Sequence, residues 1–261
     1  MGKLLRVICC VAFVGLLASN LSAEPVIFSD DFESGNLSLW TQGTSALTIS
    51  TPQNAVPVSG LYSARIDSSA DRMYHNFGSE LSGNILFTSW IYETSAATRV
   101  FTEIRAYSGA GYANGTLQQV LAIGKYSSAM TMPGEVYDGT KYQGRVVYPS
   151  ATMGWFNLNA PGAPSRSSDV WHRFDIEVMP SGTDINFYVD GILSRAITGA
   201  AAGISYDSVV VGLGAGSTVG DAWVDGISVA IVPEPGSVAL LASGLVALVG
   251  LALVRVRRRS A

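Results

Sequence analysis

Across residues 24–231 short apolar or β-branched runs alternate with clusters of Gly, Ser, Asn and Pro, and no segment keeps the i, i+3, i+4, i+7 apolar spacing of an amphipathic helix. The alternation predicts strands over 26–31, 47–51, 62–67, 73–77, 85–93, 100–107, 117–126, 130–137, 142–148, 153–158, 171–179, 184–189, 192–197, 208–212 and 222–231. Asp138-Gly139 and Asp190-Gly191 each separate two such runs, and both predict two-residue hairpins, whose central residues need φ > 0. So many short strands without a long linker predict one all-β domain, a two-sheet antiparallel sandwich, because a sheet that wide does not stay flat and open. No internal repeat points to a propeller or solenoid.

The two ends break this pattern. Lys3 and Arg6 precede an apolar stretch, and small residues lead to Ala23 just before Glu24-Pro25, which predicts a signal peptide over 1–23 cut after Ala23. Cys9 and Cys10 lie inside it, so the exported chain is expected to have no disulfide, thiolate nucleophile or cysteine metal ligand. At the other end, 237–254 is uncharged and as a helix spans roughly 27 Å, which predicts a single transmembrane helix. Arg255, Arg257, Arg258 and Arg259 follow in a basic tail over 255–261 and are expected to stay cytoplasmic. Val232-Pro233-Glu234-Pro235-Gly236 stands just ahead, where two prolines enforce an extended segment outside the bilayer.

Taken together in that order, the Val-Pro-Glu-Pro-Gly motif, the apolar span and the arginine cluster over 232–261 resemble the PEP-CTERM sorting signal. The resemblance implies an exosortase substrate, carried out by the secretion translocon and held transiently in the inner membrane. It also implies cleavage near the motif and delivery to the envelope, outer surface or extracellular matrix (biofilm) of a Gram-negative bacterium. The middle of the chain carries a second resemblance. Asp30-Asp31-Phe32-Glu33-Ser34-Gly35 with Leu39-Trp40, then Trp171-His172-Arg173-Phe174-Asp175-Ile176-Glu177, Phe187-Tyr188-Val189-Asp190-Gly191, and Val224-Asp225-Gly226-Ile227-Ser228-Val229 resemble the concanavalin A-like lectin/glucanase (LamG-type) jelly roll. That resemblance spans 24–231 and implies a jelly-roll sandwich with a concave sheet suited to saccharides, often with a structural calcium ion; fold alone assigns neither to this chain.

Composition narrows the function classes. The chain is 48% hydrophobic and only 14% charged, with a net charge of −4, which excludes a disordered chain and a basic nucleic-acid binder. Residues 24–231 hold 10 basic and 19 acidic side chains, a net of −9, so the exported domain is acidic and better suited to cations or neutral glycans than to acidic polymers.

Catalytic motifs are few. Glucanases of this fold place alternate carboxylates on one strand, but at 173–177 Arg173 stands where the first would be, so Asp175 and Glu177 read as a solvated face. His75 and His172 read as surface or edge-strand residues; there is no H-E-x-x-H spacing for zinc and no G-x-S-x-G elbow for a hydrolase serine. Calcium is the better cofactor candidate, with Asp30, Asp31, Glu33 and Asp225 brought together where first and last strands pair. Tyr112 with Asn114, and Trp155 with Asn157, offer aromatic platforms beside amides for a sugar, whereas Trp40, Trp90, Trp171 and Trp223 are expected in the core. The expectation is a non-catalytic surface or matrix protein with a sandwich that binds carbohydrate or exopolysaccharide. The alternatives are a divergent glycan hydrolase or lyase on the same fold, and a purely structural adhesion module.

Overall fold

The structure is a computed structural model. It describes residues 25–232 except 44, 52–59, 96–98, 110, 113, 127–129, 149–150, 202 and 213–220, and it does not describe the side chains of 151–153. The predicted signal peptide, the sorting motif beyond Val232, the predicted helix 237–254 and the arginine cluster lie outside the described residues. Among the described residues no helix is long and apolar enough to cross a membrane.

All strands belong to the unit Val26–Ile231. In chain order they are β1 Val26–Asp30, β2 Thr41–Gln42, β3 Thr48–Ser50, β4 Ser63–Ile66, β5 Arg72–Leu81, β6 Ile85–Glu93, β7 Val100–Ser108, β8 Thr116–Lys125, β9 Gln143–Tyr148, β10 Ala151–Asn157, β11 Trp171–Val178, β12 Ile185–Val189, β13 Ile192–Ile197, β14 Tyr206–Gly212 and β15 Ala222–Ile231. They form two antiparallel sheets. Sheet A runs β13-β12-β11-β6-β15-β4-β3, with β1 also paired to β15; sheet B runs β10-β9-β8-β7-β14-β5-β2.

Strand alternation decides what lies between the sheets. Ile85, Phe87 and Ile91 of β6, Phe174 and Ile176 of β11 and Val224, Ile227 and Val229 of β15 face Ile104 of β7, Leu121 and Ile123 of β8 and Val209 and Val211 of β14 in one buried core. Polar groups also cross it. Ser89 and Thr102 share a 2.7 Å hydrogen bond between β6 and β7, and the Lys125 ammonium of β8 lies 2.6 Å from the Glu93 carboxylate of β6, both side chains almost wholly buried.

The same alternation corrects several expectations. Trp40 is in the core as expected and Trp223 is buried, but Trp223, Trp90 and Trp171 occupy the alternate positions of β15, β6 and β11 on the outer face of sheet A, outside the apolar cluster between the sheets. Their size suggested the interior, yet Phe87, Ile91, Phe174 and Val224 already hold the inward positions there. His172, expected at the surface, is buried, while His75 is half-buried and stacks on Phe28 at 4.1 Å. Asp190-Gly191 does form the two-residue hairpin between β12 and β13, with φ of 51° and 76°. Asp138-Gly139 does not: neither residue has positive φ, and 130–137 forms no strand. That segment is instead tied to β10 by side chains. Asn157 Nδ2 donates to Val136 O and Glu135 Oε2, and Asp138 N donates to Asn157 Oδ1. The two-residue β2, which pairs with β5, is too short to leave a periodic signal.

Candidate functional site

First and last strands do pair, at a junction in sheet A that places Asp30, Asp31 and Glu33 near enough for their charges to act on Asp225. The edge of β15 is shared by β4, opposite Ala222–Val224, and β1, opposite Ile227–Ala230; β15 bulges at Asp225-Gly226 where its partner changes. Glu33 closes the gap by accepting hydrogen bonds from the Leu61 and Tyr62 N–H groups at 2.8–3.0 Å. Asp30 accepts from Phe32 N at 2.8 Å and from the Trp40 indole N–H at 2.6 Å, so both its oxygens are used. Asp31 is exposed and accepts from Glu33 N. Asp225 is fully buried; its Oδ1 accepts from Gly226 N at 2.6 Å while Oδ2 has no partner. Burial, reinforced by the negative charges of Glu33, Asp31 and Asp30, pushes the Asp225 carboxyl up to about 7. No group of three His, Cys, Asp or Glu among the described residues is disposed to hold a metal ion.

The outer face of sheet B carries most of the predicted ligand residues, though not as free platforms. Tyr112, on the β7–β8 connection, lies 4.4 Å from the Tyr74 ring of β5, accepts a hydrogen bond at its hydroxyl from Arg72, and donates its backbone N–H to Asn76 Oδ1. The Arg105 guanidinium sits over the Tyr112 ring, donates to Glu103, and donates to the Tyr107 hydroxyl at 2.8 Å. Burial works against the Arg105 charge, but Glu103 and Tyr107 outweigh it and hold its pKa above the ordinary arginine value. Asn114 is exposed in the tight turn after Tyr112. Toward the β10 edge of the same face, Trp155 is buried: Tyr126 stacks on it at 4.1 Å, Phe101 meets it edge-on and Arg145 lies over it, so its ring is closed to a sugar. Arg99 lies over the half-buried Tyr126. Asn157 is buried and spends its amide on the 135–138 segment.

This face thus sets tyrosine rings beside Arg72, Arg99, Arg105 and Arg145, with Glu103 paired to Arg105 and with Asp207 and Glu80 near Tyr107. Sequence reasoning missed the arginines because they come from β5, β7, β9 and the β6–β7 connection, and only the register lines them up. Beside Tyr107 a hollow of about 190 Å³ opens between Ser108, Gln118, Gly203 and Ser205.

No family model matches the sequence, and no curated protein matches it. The fold does have solved counterparts. The globular domain of T. cruzi calreticulin aligns with a TM-score of 0.54 at 9% identity, covering 90% of this chain and 99% of that one. Domain 4 of an extracellular arabinanase from Geobacillus stearothermophilus, solved with arabinotriose, aligns at 0.52 and 11% identity over 82% of this chain and 97% of its own. A cellulose-induced protein aligns at 0.50 and 17% identity over 78% and 96%. At these identities the likeness shows a two-sheet jelly-roll-like sandwich and nothing more.

On the outer face of sheet A the two carboxylates of the 173–177 strand are each engaged locally. Arg173, Asp175 and Glu177 do share a face, as alternation requires. Asp175 accepts from Thr88 and Arg173, however, and Glu177 accepts from the Tyr188 hydroxyl and from Asn186. Both carboxylates are held in local networks, unlike a nucleophile and acid facing each other across a bond.

Proposed function

We propose that the protein is an exported, exosortase-processed surface or matrix component that binds glycan chains on the outer face of sheet B. The observation that carries this reading is the partly exposed Tyr74–Tyr112 pair beside exposed Asn76, with Arg72 and Arg105: Tyr74 and Arg105 pack on the Tyr112 ring, and a sugar would meet the ring edges, the Asn76 amide and the guanidinium donors. Four arginines on one face of an otherwise acidic domain favour sugars that bear carboxylates, which modifies the expectation from net charge. The fold likeness to an arabinanase domain solved with arabinotriose supports a saccharide ligand, and the Val232-to-Gly236 motif with its arginine tail supports the route to the surface. Binding of the purified protein to an array of neutral and uronate-containing glycans tests the ligand. Tyr112→Ala and Arg72→Ala are each expected to weaken binding at least tenfold, and added salt to weaken it further. Retention of no glycan on the array refutes the binding role. Mass spectrometry of surface-extracted protein tests the route: an intact C-terminal Ala261 refutes processing.

A second reading concerns the junction acids, where the orphaned, buried Asp225 Oδ2 favours a bound calcium ion. The residues fit in part. Asp225 and Asp31 would hold it with main-chain and water oxygens, since Asp30 and Glu33 are occupied by N–H donors. The ion would tie β1 to the β15 bulge and keep Asp225 ionised.

A further inference from the structure

We propose that Ser167, His172 and Asp190 form a serine hydrolase site for carboxylic esters, acting on O-acyl groups displayed on larger polar molecules. The three side chains are linked in one line: Ser167 Oγ lies 2.8 Å from His172 Nε2, and His172 Nδ1 lies 2.7 Å from Asp190 Oδ2. This is a nucleophile hydrogen-bonded to a base that is itself oriented by a carboxylate. The site is built from other segments than the aromatic–arginine face and is independent of the glycan reading.

Each member is fixed by a different element. Asp190 is the first turn residue of the β12–β13 hairpin; its N–H donates to Arg173 O, and its Oδ1 accepts from Arg173 N at 2.9 Å, which aims Oδ2 at the imidazole. His172 points inward from β11, buried, with the Tyr142 ring packed 5.2 Å away. Ser167 lies on the irregular segment 158–170, exposed, and that segment is pinned on both sides. Arg166 N donates to Thr140 O, the Tyr142 hydroxyl donates to Ser167 O, and Asp169 N donates to Glu93 O. Burial raises the Asp190 carboxyl, but its bonds from His172 and Arg173 more than offset this and hold it below the ordinary value, so it is ionised and only accepts. His172 Nδ1 therefore donates to Asp190, and in the neutral imidazole Nε2 is left to accept from the Ser167 hydroxyl.

The reaction balances with water as the co-reactant. Ser167 Oγ attacks the ester carbonyl carbon while its proton passes to His172 Nε2, forming the Oγ–C bond. The carbon–alkoxy bond then breaks, and the leaving alcohol takes that proton. Water next attacks the acyl carbon, giving its proton to Nε2; the Oγ–C bond breaks, Oγ regains the proton, and a carboxylic acid departs. Ser167 is exposed on an open segment, so an acyl group carried on a bulky molecule reaches it without entering a deep cavity.

The test treats the purified full-length chain with a fluorophosphonate probe and, separately, with p-nitrophenyl acetate. Expected are phosphonylation mapped to Ser167 and ester turnover above buffer, both abolished in Ser167→Ala. Both should be at least 100-fold slower in Asp190→Asn. Asparagine tolerates the positive φ of position 190, so this variant is expected to keep its fold by circular dichroism. His172→Gln, which can still hydrogen-bond Ser167 but takes no proton, provides a second route to the same loss. No label on Ser167 in the folded wild-type protein overturns the proposal, as does labelling at the wild-type rate in a folded Asp190→Asn or His172→Gln.

Discussion

Asp225 shows how one side chain can carry several functions of position at once. It stands outward on β15, is fully buried by the junction, and leaves Oδ2 without a hydrogen bond. Its folded-state pKa of about 7 lies above the unfolded value near 3.8, so in the metal-free protein it favours folding most below pH 4. That contribution falls as pH rises from about 4 to about 7, at roughly 1.4 kcal/mol per unit at most. Denaturant titrations in chelator should therefore show stability declining across this window, and Asp225→Asn should flatten the decline. Added calcium should raise the melting temperature most at pH 8 and leave Asp225→Asn unchanged; an equal effect on both proteins refutes a calcium site at this carboxylate.

At the scale of elements, the ladder between β7 and β8 makes a glycine obligatory. Gly124 has φ of 143°, and a Cβ there would collide with Val100 O and lie 2.8 Å from Phe101 Cα, both backbone atoms that cannot step aside. Gly124→Ala is expected to cost about 3 kcal/mol or more by splaying these strands, and with them the outer face that holds Phe101 and Arg105. Urea unfolding measures it, and a loss below about 1 kcal/mol would mean that the strands tolerate the bend. Hairpin chemistry behaves differently at two similar dipeptides. Asp190-Gly191 turns because β12 and β13 pair directly on either side, whereas Asp138-Gly139 is followed by β9 but preceded by no strand, and Asp138 instead accepts from the Thr140 N–H and hydroxyl. The local signal was the same; the partner strand was not.

Across the whole molecule the two sheets are joined by more than apolar packing. Glu93 and Lys125 neutralise each other across the interior, although burial still raises the Glu93 carboxyl despite Lys125. Lys125→Met takes from that buried carboxylate its ion-pair partner and is expected to cost about 3–5 kcal/mol, whereas adding Glu93→Leu should restore much of the loss. Thermal unfolding of the single and double variants checks both; equal destabilisation in the two would show that the pair is not coupled. Charge is also a property of the assembled domain. A net of −9 over 24–231 argued against acidic ligands, but folding gathers Arg72, Arg99, Arg105 and Arg145 on the outer face of sheet B, apart from the acids at the β1–β15 junction, so the charge of one face is not that of the whole domain.

By itself the sequence determined the all-β class, most strand positions, the Asp190-Gly191 turn and the pairing of the first strand with the last. Period-two patterning and turn residues are local properties, and a first strand pairing with a last one leaves acids near both ends of the domain as a trace. It did not determine which face a tryptophan takes, because Trp90 and Trp171 look apolar wherever they stand, and parity against their neighbours is set by sheet register. Nor did it reveal Ser167, His172 and Asp190 as a unit. A search for a nucleophile elbow looks for one backbone turn, whereas these residues come from a pinned loop, a strand and a hairpin. Only the tertiary fold brings their hydrogen-bonding atoms within 3 Å of one another.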